Sequence, residues 1–148
     1  SNHSSMILEV GHSPTENQKL YFTVLQENNI PFCFNSTEDL EINQWYHFVN
    51  IVGQDHQAAY LNGELMPCSY SFGSPDSPCF FADVQQQKVC WLGKGYYRCK
   101  FEPFFFSGEI DEIRIYDRSL KQREVRALYA MRSIKDQYPL TAQRIQEK

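Results

Sequence analysis

The stretch Trp45-Tyr46-His47-Phe48-Val49-Asn50-Ile51-Val52, followed after a break by Ala58-Ala59-Tyr60-Leu61-Asn62-Gly63-Glu64-Leu65, decides the fold. Its first half is rich in aromatic and β-branched residues, which fit a pleated, half-buried surface. Gly53-Gln54-Asp55 makes a polar break, and Ala58 to Leu61 runs back. Asn62-Gly63 then supplies a two-residue turn. A type I′ turn needs positive φ at both central positions, and Asn followed by Gly meets that need at least steric cost.

The same pattern repeats outward from this hairpin. Ile7 to Val10, Leu20 to Leu25 and Ile30 to Phe34 read as strands, the last two split by Asn28-Asn29. Pro67 to Pro78 reads as a loop. Val89 to Leu92 precedes Gly93 as a strand, and Phe104 to Phe106 and Glu109 to Tyr116 are strands separated by Ser107-Gly108. Short strands with turn signals every ten or so residues predict a sandwich or barrel. No strand–helix alternation points to a parallel α/β fold. The core is expected to include Trp45, Phe48 or Val49, Ile113 and Ile115. One helix is expected near the C-terminus, capped by Ser119 with Gln122 as the reciprocal partner, and with Val125, Leu128 and Tyr129 on one face. Residues 1–134 form the predicted domain. Residues 135–148, polar and containing Pro139, read as a tail or linker.

A chain of 148 residues fits one domain, able to bury about two thirds of its unfolded surface. Its net charge is −4, from 14 basic and 18 acidic residues, and gives no electrostatic footprint for nucleic acid or an anionic membrane. No apolar stretch approaches the roughly 20 residues of a membrane span. Ser1-Asn2 reads as the remnant of a cleaved tag, so the lack of a leader carries no information. The five cysteines contain no C-x-x-C pair, which argues against zinc. The spacings Cys68/Cys79 and Cys90/Cys99 suit disulfides closing loops, with Cys33 left over. Five reduced thiols in an intracellular protein is the equal alternative. Asn35-Ser36-Thr37 matches a glycosylation sequon, a motif short enough to arise by chance.

Two segments carry a resemblance. The first is the Trp45–Leu65 hairpin, with its tryptophan, the histidine two residues on, and the strand ending in Asn62-Gly63. The second is Phe106-Ser107-Gly108-Glu109-Ile110-Asp111-Glu112-Ile113-Arg114-Ile115-Tyr116-Asp117-Arg118-Ser119-Leu120, continued by Glu124-Val125 and Leu128. With Gly93 after Trp91-Leu92, these resemble the laminin-G-like, concanavalin-A-like jelly-roll family over roughly Ile7 to Tyr129. The resemblance implies an all-β, two-sheet antiparallel jelly-roll sandwich with one short C-terminal helix. Few residues precede Ile7 where the family has two or three more strands, so the front of the fold is expected to be trimmed, or the chain to begin inside the domain.

Some relatives of this fold are glycoside hydrolases with acids at i, i+2 and i+4 of one strand. Here those positions are Glu109, Asp111 and Ile113, and Glu112 points to the opposite face by strand alternation. The third acid is absent, so no catalytic residue is assigned. His47 reads as a buried, hydrogen-bonded histidine, and His56 as a solvated turn residue. Calcium is the cofactor the resemblance implies, held at the sandwich rim, with Asp76 and Asp83 as candidate ligands and Asp55 in the hairpin turn. Tyr96, Tyr97 and Arg98 follow Gly93 and Gly95 as candidate ligand-binding residues, since exposed Tyr and Arg give large contact area with a polar tip. The reading reached is a non-catalytic recognition module of a larger, extracellular or cell-surface protein. It binds a glycan or protein through rim loops. The rivals are an accessory sandwich with no ligand and, further behind, a glycoside hydrolase.

Overall fold

The computed structural model of the chain describes residues 5–11, 18–26, 29–54, 56–84, 90–95 and 104–137. A four-stranded antiparallel sheet is built from β1 (Ser5–Val10), β2 (Leu20–Gln26), β3 (Asn29–Ser36) and β7 (Cys68–Phe72), in that spatial order. A second antiparallel sheet orders β4 (Phe48–Val52), β5 (Gln57–Leu61) and β6 (Glu64–Leu65). A two-stranded hairpin pairs β8 (Lys94–Gly95) with β9 (Phe104–Phe105), and one helix, α1 (Gln122–Gln137), follows.

Strand alternation places the core. On β2, Leu20, Phe22 and Val24 point inward, and on β3, Phe32 and Phe34 do the same; all five are buried. Phe22 stacks on Phe34 with ring centroids 5.4 Å apart, and Phe32 meets Phe34 edge-on at 5.8 Å. Ala59 and Met66 join this cluster, with Phe48 and Leu61 packed against it, so the two sheets share one apolar layer. Ser36 closes the layer's end: its hydroxyl accepts from the Leu20 N–H at 3.1 Å and donates to the Glu38 carbonyl at 2.7 Å. The middle residue of the Asn35-Ser36-Thr37 motif is thus a buried structural group.

The turn chemistry follows the sequence. Asn62 and Gly63 have φ of 52° and 84°, and Leu61 pairs with Glu64 across them. Asn62 accepts from the His47 N–H through Oδ1 at 2.9 Å and donates its own N–H to the His47 carbonyl at 2.8 Å. β2 and β3 likewise pair on either side of residues 27–28, with Gln26 opposite Asn29.

Five expectations are corrected. The segment read as a loop from Pro67 to Pro78 contains β7, whose Tyr70 pairs with Phe34; a strand of alternating Cys, Ser, Tyr, Ser and Phe was hidden between Pro/Gly-rich flanks. Cys90 to Leu92 are exposed and outside any ladder, and the strand begins at Lys94. Glu109 to Tyr116 is no strand. Glu112 has φ of 54°, which breaks the pleat, and no described strand pairs with the segment. Ile113 and Ile115 are therefore 58% and 74% exposed rather than core, and Trp45 is exposed as well, because the β4 ladder starts three residues later at Phe48. The helix starts at Gln122, not after a Ser119 cap. The Ser119 hydroxyl donates instead to the Val52 carbonyl at 3.4 Å, and the Glu124 carboxylate accepts from the Lys121 N–H at 2.7 Å. Glu124 thus supplies the N3 half of a capping box.

The helix lies against the β5–β6 hairpin. Tyr129 sits 6.0 Å ring to ring from His47 and against Gly63, Arg126 pairs with Glu64 at 2.8 Å, and Val125 is fully buried. His47 is half-buried and His56 exposed.

Candidate functional site

Two surface features could take a ligand. The first is the β8–β9 hairpin. Gly93, at φ of 70°, turns the chain into β8, and its carbonyl accepts from the Phe106 N–H at 2.9 Å, extending the ladder past Lys94–Phe105. With two strands and no sheet above it among the described residues, the hairpin leaves large side chains in solvent. Trp91, Leu92 and Phe105 are 51%, 65% and 70% exposed, and Phe106 is exposed too. The Lys94 ammonium lies 5.6 Å from the centre of the Trp91 ring, within cation–π range. Tyr96, Tyr97 and Arg98 lie outside the described residues; the strands before and after them are the two of this hairpin.

The second feature is a cleft of about 340 Å³ at the end of the sandwich, between the segment that leaves β3 and the β5–β6 hairpin. Glu38, Asp39 and Glu41, together with Leu61, Leu65 and Met66, are among the residues that line it. Backbone bonds fix its shape. The Thr37 N–H donates to the Pro67 carbonyl at 3.1 Å and the Leu40 N–H to the Gln18 carbonyl at 2.8 Å. The Tyr46 hydroxyl accepts from the Glu41 N–H at 2.8 Å, closing the short loop that carries the acids. Sequence reasoning missed this cleft. Its only signal was the run Glu38-Asp39 and Glu41 beside an aromatic pair, and nothing in the sequence brings the β5–β6 hairpin opposite.

The other candidates are placed as follows. Asp76 is exposed in the turn from Ser74 to Ser77. Asp83 closes the 3-10 turn Phe81–Asp83: its carboxylate accepts from the Phe80 N–H at 2.7 Å, and its carbonyl accepts from Gln26 Nε2 at 2.8 Å. Calcium takes six to eight oxygens. Among the described residues no three His, Cys, Asp or Glu side chains gather to hold a metal; Asp55 lies outside the described residues. Glu109, Asp111 and Glu112 are exposed on the unpaired segment. Asp111 accepts from the Glu112 N–H, and Glu112 is paired with Arg114, so the strand geometry weighed for a hydrolase is not formed.

Cys33, Cys68, Cys79 and Cys90 are free thiols, so the Cys68–Cys79 bridge is not made; Cys99 lies outside the described residues. Burial pushes the Cys68 thiol up to about 11 and raises Cys79, the latter helped by Asp83. Both pack against the apolar layer as small hydrophobic groups rather than as nucleophiles.

Two antiparallel sheets sharing one apolar layer, followed by a helix, form a β-sandwich. The family model for the concanavalin A-like lectin/glucanases superfamily matches residues 1–126, and the chain belongs to that superfamily. No curated protein matches the chain. Among solved structures it is similar to an S-layer domain-containing protein (residues 221–444) from Clostridium thermocellum, with 19% identity and a TM-score of 0.44. That match covers 85% of this chain and 63% of the other, so this chain spans less than two thirds of that structure. No described helix is long and apolar enough to cross a membrane.

Proposed function

We propose that the chain is a non-catalytic recognition module of a larger secreted or cell-surface protein, binding a glycan or protein at the rim around the β8–β9 hairpin. The observation that supports this reading is the exposure of Trp91, Leu92, Phe105 and Phe106 beside Lys94 on one hairpin. Isolated exposed hydrophobics are ordinary on a protein surface, but a cluster of aromatics next to a cation is the composition of binding hot spots. Tyr96, Tyr97 and Arg98 add the same residue types to the connection between the two strands.

A glycan array with the intact chain tests the reading, together with Tyr97→Ala/Arg98→Ala. The double variant abolishes binding while leaving the circular dichroism spectrum unchanged. A parallel hydrolysis screen bears on catalysis: cleavage of a glycan that Glu109→Gln removes overturns the non-catalytic part.

A further inference from the structure

The Asn62-Gly63 turn is also a chemically reactive pair, and we infer that it is a modification site kept shut by helix α1. Glycine has no Cβ to hinder close approach of its backbone, so in an unfolded chain the Gly63 nitrogen can attack Cγ of Asn62. A C–N bond forms, the side-chain nitrogen leaves as ammonia, and a succinimide ring closes. Water then opens the ring at one carbonyl or the other, giving aspartate or isoaspartate; no oxidant or reductant takes part.

The fold opposes ring closure, which requires the Asn62 side chain and the Gly63 backbone to turn toward each other. Asn62 is held at two atoms: Oδ1 accepts from the His47 N–H at 2.9 Å, and its own N–H donates to the His47 carbonyl at 2.8 Å. Both residues are fixed in the left-handed region, with φ of 52° and 84°. Gly63 is buried, and Tyr129 of α1 fills the space beside it: an added Cβ would lie 3.2 Å from Tyr129 Cδ1 and 3.4 Å from Tyr129 Cβ. Arg126 on the same helix pairs with Glu64, the next residue of the hairpin, so α1 covers the turn from two positions. The ring therefore closes only after α1 lifts from the hairpin. Isoaspartate then adds a carbon to the backbone of the turn. Leu61 and Glu64 lose their register, and the seat of Tyr129 goes with it. Undocking of the helix is thereby made permanent. The inference is independent of what the rim binds.

Peptide mapping of the full chain, aged at mildly alkaline pH with and without urea, measures conversion of Asn62. Reaction through an opened state scales with the population of that state, so native wild type is expected to convert at least about tenfold more slowly than the urea-unfolded chain. Tyr129→Ala, verified as folded by circular dichroism, converts faster than wild type, whereas Tyr129→Phe, which keeps the ring, converts at the wild-type rate. Val125→Ala, which truncates a fully buried side chain one turn earlier and loosens the seat of α1 without touching the turn, also converts faster. The purified isoaspartyl chain melts below wild type. Native wild type that converts as fast as in urea overturns the inference, and that comparison needs no variant. So does a folded Tyr129→Ala or Val125→Ala that converts no faster than wild type, or an isoaspartyl chain that melts with it.

Discussion

Tyr70 on β7 donates its phenolic proton to Oε1 of Gln57 on β5, joining the two sheets across their shared interior. Gln57 is buried; its Nε2 donates to Asn50 Oδ1 at 2.7 Å and its backbone N–H to the Pro75 carbonyl at 2.8 Å. The sandwich is thus held at this end by a polar tie and elsewhere by the phenylalanine layer. Burial pushes the Tyr70 phenol up to about 12, helped by Cys68 and Asp76, which keeps it protonated and able to donate.

Removing the tie from one side leaves Gln57 Oε1 buried and unpaired. Tyr70→Phe is expected to destabilise the chain by about 1–3 kcal/mol in urea denaturation, the cost of an unmet buried acceptor. Combined with Gln57→Leu the losses are expected to be less than additive, because the second change removes the acceptor orphaned by the first, while Asn50 Oδ1 loses its donor in either background. A double variant as unstable as the sum of the singles would mean the two residues do not act together.

The core is where the phenylalanines are, not where the closing isoleucines are. Phe34→Ala is expected to cost about 3–5 kcal/mol, as for a fully buried aromatic. Ile115→Ala is expected to stay within about 0.5 kcal/mol of wild type, as for an exposed side chain. Melting temperatures of the two variants decide this, and a large loss at Ile115 would show the segment to be packed.

Gly73 stands where no other residue fits. Its φ is 74°, and an added Cβ would lie 2.7 Å from the Phe32 ring and 2.9 Å from the Pro31 carbonyl oxygen. Gly73→Ala combines left-handed backbone strain of about 1–2 kcal/mol with displacement of a core ring. Denaturation of this variant is expected to show a larger loss than Gly93→Ala, where a Cβ meets open space and only the backbone penalty remains.

Glu124 accepts two bonds from the Arg118 guanidinium, at 2.7 and 3.0 Å, and one from the Lys121 N–H, which together hold its carboxyl down near about 2. A depressed folded pKa stabilises the helix start above the unfolded value, and the benefit is lost as pH falls from there towards about 2. Helix signal is expected to decline over that acid range in wild type and to change less in Glu124→Gln, which cannot titrate.

Thiol labelling at neutral pH is expected to modify Cys90 first. It is the exposed cysteine among the four described, whereas Cys68 and Cys79 are half-buried with raised thiols and stay largely protonated. Labelling of Cys68 before unfolding would contradict its packing against the core.

Much of this was legible in the chain. Asn62-Gly63 announced its turn because positive φ is a property of those two residues, whatever surrounds them. The apolar runs Leu20 to Leu25 and Ile30 to Phe34 announced two strands, although the core was expected elsewhere. The strand beside Gly93 was set a few residues early, and Tyr96, Tyr97 and Arg98 lie outside the described residues. Other features depended on what lies opposite. β7 became a strand because β3 offers it an edge, despite its loop-like flanks. Ile113 and Ile115 alternate as core residues do, yet burial needs a facing layer, and the described sheets provide none there. The acidic cleft joins a loop after β3 to a hairpin some twenty residues further on. Local sterics fix turns, periodicity and strand faces, and these the sequence by itself determined. Which edges pair, which faces are covered and which distant side chains share a cleft come from contacts between segments far apart in the chain, so only the tertiary structure decided them.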